Sequence, residues 1–269
     1  MGLQGLLLAL VAVVYAGSAF GYAANFYHKS AFRSRLATWG GLLGWAIHTL
    51  LLVQITVDGG QVPLTSQVLP TLCAWLVVIV YGYLEVTTQD RSLGALIMPL
   101  VVVLHLFTVS NLSGQEAIVQ VVPSGGWFKL HVLAYILAYA AFAISCVSAM
   151  MYLMLLGEIQ KKHLGFFYER LPSLDILNQI NNRAATFGFL FLSGGSIASA
   201  VWAYEELARL SHLPILITWV IYAGNLIARG MGGWQGKRAA FLSIAGFCLV
   251  IFAFPVVGVL FQGKHPLGP

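Results

Sequence analysis

Residues 125–143, GGWFKLHVLAYILAYAAFA, decide how the rest of the chain is read. Trp127 and Lys129 stand at the edge of an apolar run, His131 lies about one helical turn inside it, and the run continues far enough to cross a bilayer. An aromatic and a basic residue at such a boundary are the usual anchors of a membrane span. A histidine just inside that boundary is a candidate ligand, and a ligand in a membrane wall raises the question of what it holds.

The rest of the chain agrees with a membrane setting. Hydrophobic residues make up 59% of the 269 positions and charged residues 9%, and the mean hydropathy is +0.85, which excludes a water-soluble domain of this length. The expected fold is all-α, a polytopic helix bundle of about eight spans forming one domain over 1–269. The spans are read at residues 3–26, 36–56, 68–83, 93–109, 128–156, 184–207, 213–228 and 239–261. The first lacks a basic leader and a small-residue cleavage site, so it is expected to be a retained span rather than a removed signal. The third and fourth are short and are expected to draw on their polar flanks, whereas the fifth would reach about 43 Å and project beyond the hydrocarbon. The polar connection 158–183 is expected to hold a short amphipathic surface helix capped by Ser173, before the chain re-enters the membrane.

The net charge of +5 does not point to nucleic acid once the basic residues are placed. Eleven of the 14 Lys and Arg residues fall in the connections after the first, third, fifth and seventh spans, and only Lys129, Arg209 and Lys264 fall on the other side. This bias places the basic loops in the cytoplasm and both termini outside; the expected location is a bacterial cytoplasmic membrane. Cys73, Cys146 and Cys248 each lie within an apolar run and form no CxxC or CxxCH spacing, so disulfide, thiol-relay and covalent c-type haem chemistry on this chain lack support.

Orientation gives the histidines depths. His48 and His105 fall in the outer half of their spans, His131 opens the fifth span at the outer face, His212 precedes the seventh there, and His265 follows the eighth. His28 and His163 fall in cytoplasmic loops. Neutral imidazole is a good metal ligand, but no HxxxH, ExxH or Cys-His spacing marks a compact protein-only metal centre. A cofactor that brings its own four equatorial nitrogens needs only one or two axial histidines, drawn from helices distant in sequence, and haem meets that description.

Three segments carry a family resemblance. WFKLHVLAYILAYAAFA (127–143), TFGFLFLSGGSIASAVWA (186–203) and ITWVIYAGNLIARGMGGWQGKRAAFLSIAGF (217–247), followed by His265, resemble in order the CcsA, HemX and YpjD group of cytochrome c assembly and haem-handling membrane proteins. The resemblance implies non-covalent b-type haem, with His131 and His265 as axial iron ligands. It further implies Trp127 and Trp202 at the porphyrin, and Lys129 or Arg209 at its propionates. Where synthetase subunits of that group carry a tryptophan-rich segment with a Trp-Asp-Pro-Lys-Glu core, this chain reads WAYEELARLSHLPILITW, keeping only Trp202 and Trp219, and the intramembrane histidine expected in the seventh span falls at Ile227. These departures favour the HemX or YpjD-like branch, with His48 and His105 as its own intramembrane ligands.

The function expected is therefore binding, transfer or export of haem at the outer face, with partners among other cytochrome c assembly subunits and membrane lipids. Two other classes stay open: a regulator that engages a tetrapyrrole-synthesis enzyme through 158–183, and a small-molecule transporter. The spans hold no acid, base or nucleophile constellation, so no catalytic residue is read. The paired interruptions of an inverted-repeat transporter are likewise missing.

Overall fold

The structure is a computed structural model that describes residues 2–60, 64, 68–112, 125–162, 165–202, 213–233 and 236–260. All regular structure among the described residues is helical: α1 (Leu3–Tyr27), α2 (Ala31–Gly59), α3 (Leu69–Thr88), α4 (Gly94–Leu112), α5 (Gly126–Gln160), α6 (Leu174–Trp202), α7 (Leu213–Gly232) and α8 (Lys237–Leu260). Five of them, α1, α2, α3, α5 and α6, are long and apolar enough to cross a membrane, and shorter apolar stretches run from Gly94 to Ser110 and from Ile215 to Met231.

The helices extend into their polar flanks, because a backbone amide that leaves water must be bonded within its own helix. The third span runs on to Thr88, where Gln89 takes the left-handed conformation at φ 55°. The Asp90 carboxylate then accepts from the Ser92 backbone N–H at 2.7 Å and opens α4. α5 reaches 35 residues, longer than the expected fifth span.

α6 corrects one expectation. Among the described residues of 158–183 there is no separate surface helix: Ser173 Oγ accepts from the Ile176 N–H at 3.4 Å, as a cap should, but from Leu174 the helix runs unbroken for 29 residues. The polar run at 181–183 resembles a connection in composition, yet Asn181 is 1% exposed and bonded inside the bundle.

The chain divides into two compact units, residues 1–122 and 123–269. In the first, α1 packs on α2 and α4, and α3 on α4. Small residues let these helices approach closely: an added Cβ at Gly21 would lie 3.0 Å from the Ala37 Cβ, and one at Gly44 would lie 2.6 Å from the Tyr15 ring. The Glu85 carboxylate gathers one end of the unit, accepting from the hydroxyls of Tyr22 (2.5 Å) and Thr38 (2.6 Å) and from Arg91 Nε (2.9 Å). Arg91 Nη1 also donates to Ser34 Oγ at 2.7 Å, so this loop arginine holds α2 and α3 together as well as contributing to the charge bias.

In the second unit α5 is the core helix, packed on α6 and α8, with α7 on α8. Its apolar window is 67% buried, against 33% for α6, so α5 can be apolar on all sides. Gly188 and Gly195 of α6 lie under the Phe142 and Tyr135 rings of α5, and Phe142 stacks on Tyr222 with centroids 3.7 Å apart.

Candidate functional site

His131 sits in the second turn of α5 and is 8% exposed. Its Nδ1 donates to the Gly195 carbonyl of α6 at 3.1 Å. A carbonyl can only accept, so the Nδ1 proton is fixed and Nε2 becomes the basic nitrogen of the neutral ring. Tyr135, one turn further along α5, meets the ring edge-on with centroids 4.3 Å apart, and the Phe128 ring is tilted to it at 6.4 Å. The acceptor carbonyl belongs to a glycine whose missing side chain admits the Tyr135 ring, since a Cβ there would lie 2.5 Å from Tyr135 Cδ1. Metal-ligating imidazoles are commonly oriented by such a backbone carbonyl on their second nitrogen, and the same bond satisfies a buried histidine that ligates nothing.

Trp127 and Lys129 lie at the opening of the same helix, Trp127 52% exposed and Lys129 exposed. Trp202 is the last residue of α6. His265, Arg209 and His212 lie outside the described residues. No group of three His, Cys, Asp or Glu side chains placed to hold a metal occurs among the described residues.

His48 and His105 belong to the first unit and come together there, their ring centroids 5.2 Å apart and both side chains fully buried. The Thr71 hydroxyl lies between them, 2.8 Å from His48 Nε2 and 2.7 Å from His105 Nδ1. His48 Nδ1 meets the Tyr15 hydroxyl at 3.2 Å, and His105 Nε2 meets the Leu8 carbonyl at 3.1 Å. Two buried imidazoles with no carboxylate bonded to either are neutral, because an unpaired charge there is costly.

The terminal carbonyl then sets every proton. His105 donates from Nε2 to Leu8, so its Nδ1 accepts from Thr71; the Thr71 oxygen accepts from His48 Nε2–H, and His48 Nδ1 accepts from Tyr15. The chain of bonds leaves α1 at Tyr15, passes through α2, α3 and α4, and returns to α1 at Leu8. A further bond, from the Thr71 backbone N–H to Thr108 Oγ1 at 3.2 Å, satisfies a first-turn amide of α3.

All four ring nitrogens of the pair are thus engaged within the protein. Iron ligation by either ring would require exchanging one of these bonds. Tyr15 and Thr71 were not anticipated from sequence, where each reads as an isolated polar atom in an apolar run. Glu85, the acidic residue near the end of the third span, was the available signal for the first unit's other polar cluster.

The family described as Cytochrome C assembly protein matches this chain over residues 66–265. Among curated proteins, the Cytochrome c biogenesis protein CcsA of Heterosigma akashiwo is 31% identical over 232 residues, covering 72% of each chain. Those of Chlorella vulgaris and Guillardia theta are 29% and 28% identical, covering 82% of this chain and 82% and 81% of theirs. No solved structure matches the chain.

Proposed function

The chain belongs to the cytochrome c assembly protein family, and from that premise we propose that it binds b-type haem non-covalently at the outer face of the membrane and hands it on during cytochrome c assembly. The observation that carries this reading is the His131 ring, turned by the Gly195 carbonyl so that Nε2 is its coordinating nitrogen. Haem, when bound, would supply an iron centre. His131 and, by family resemblance, His265 would hold that iron.

Tyr135 and Phe128 hold the imidazole plane. Trp127, half exposed at the helix opening, and Trp202 wall the porphyrin, and Lys129 or Arg209 pairs with propionates at the boundary. His48 and His105 serve in this reading to tie α1 to α4 rather than to ligate. The family match takes in residues of both units, which supports treating 1–269 as one functional domain. The charge bias supports a membrane orientation with the basic loops in the cytoplasm. The reduced tryptophan-rich segment supports an accessory role of the HemX or YpjD kind, alongside other assembly subunits.

The test is the absorption spectrum of detergent-purified protein, oxidised and reduced. A Soret band with sharp reduced bands is expected, lost or shifted in His131→Ala and in His265→Ala and retained when His48 and His105 are both changed to Gln. A spectrum that stays featureless after haem is added would sink the reading. Loss of the bands in the His48/His105 variant alone would move the ligands to the first unit.

A further inference from the structure

The second unit holds a half-buried cation, Arg229, with no anion among the described residues. Arg229 lies in the last turn of α7, and its Nε donates to Asn225 Oδ1 at 3.0 Å. Its Nη2 is shielded from solvent and has no hydrogen-bond partner among the described residues. Neither ion pair among the described residues involves it. A guanidinium donor shielded from water without an acceptor is costly, so an unmet Nη2 on a half-buried arginine makes the space beside it a candidate binding site.

The guanidinium is also held from behind. Asn225 Nδ2 donates to Ser243 Oγ at 3.2 Å, and the hydroxyls of Ser243 and Ser145 approach Asn181 Oδ1 at 2.8 and 2.7 Å. All four of these residues are at most 1% exposed. This buried chain reaches from α7 through α8 to α6 and α5, and it fixes one edge of the guanidinium while leaving Nη2 unbonded.

In front of Arg229 is a cleft of about 360 Å³ lined by Asn178, Asn182 and Thr186 of α6 and by Leu226, Arg229 and Gly230 of α7. Asn178, Asn182 and Thr186 are spaced by four residues and so form one stripe on α6. Among the described residues the wall contains a cation, two amides and a hydroxyl, and no carboxylate. Gly230 keeps the cleft open, since a Cβ built there meets nothing within 4 Å. Along α6 the cleft lies about 20 Å from Gly195, so it is separate from the His131 site.

We propose that this cleft binds a phosphate-type oxyanion, with the Arg229 guanidinium as the charged donor and the Asn178 and Asn182 amides as neutral donors. The oxyanion is carried either by an anionic lipid headgroup at the basic-loop surface or by a soluble phosphate, and the proposal does not depend on haem binding.

The experiment measures the unfolding midpoint of the full-length protein in neutral detergent. It uses added dioleoylphosphatidylglycerol against dioleoylphosphatidylcholine, and sodium phosphate against sodium chloride of equal ionic strength. The same titrations are run on Arg229→Gln and Gly230→Leu; the second keeps the guanidinium and fills the cleft. A rise of about 3 °C at tenfold saturation is expected for the wild type and is lost in both variants. A rise with phosphatidylglycerol alone identifies a lipid headgroup, and a rise with phosphate identifies a soluble ligand. Equal responses in the wild type and in Gly230→Leu, or no response to either probe, overturn the proposal.

Discussion

The Thr71 hydroxyl has one hydrogen to give and two imidazoles to serve, and the Leu8 carbonyl decides which receives it. The resulting assignment is open to measurement. Nitrogen-15 spectra of the labelled protein should show His48 and His105 both protonated at Nε2, and His131 protonated at Nδ1. A doubly protonated His48 or His105 near neutral pH would break the argument from burial. Replacing Thr71 with Val keeps the shape but leaves the His48 Nε2–H and the His105 Nδ1 without partners. At about 1–3 kcal/mol for each abandoned buried group, the loss should be several kcal/mol. Thr71→Ser should retain most of the stability, and chemical unfolding in detergent would compare the two. The histidines of this circuit were legible in the sequence because ionisable groups in spans are rare. Tyr15 and Thr71 were not, because partnership depends on the rotation of four helices about their axes, which apolar runs leave unspecified.

Among the helices, α6 separates composition from structure most clearly. Its polar opening reads as a surface segment, yet the helix is continuous and Asn181 turns inward to two serines. A proline at Ala184 tests this directly. In an unbroken helix it removes a backbone bond and costs about 3 kcal/mol or more, whereas at a connection between two helices it would be tolerated. A melting point for Ala184→Pro close to that of the wild type would contradict the continuity. α5 poses the opposite case, since its central position follows from a run that is apolar on every face, although the helix outlasts that run at both ends. At 35 residues it measures about 52 Å, well beyond the roughly 30 Å of hydrocarbon, so its Gln160 end belongs to the aqueous side.

At the scale of the molecule, helix class and number were readable from hydropathy, because each helix must satisfy its own backbone in the membrane. The division at residues 122 and 123 was not readable, since hydropathy records the length of a span and carries no information about its neighbours. Eight crossings would return the chain to the side on which it began. With eleven of 14 basic residues on one side, reporters fused at either terminus should be active outside, and reporters placed after residues 90 and 160 active inside. Opposite signals from the two termini would show that one helix does not cross.

The circuit that leaves α1 at Tyr15 and returns to it at Leu8 also constrains how this sequence can change over generations. Each side chain in it is both the solution to one neighbour's unmet bond and the source of another's, so a single replacement is harmful even where a coordinated set of replacements would be neutral. Lineages should therefore hold Tyr15, His48, Thr71 and His105 together or have exchanged them together for apolar residues, with few intermediates surviving between the two.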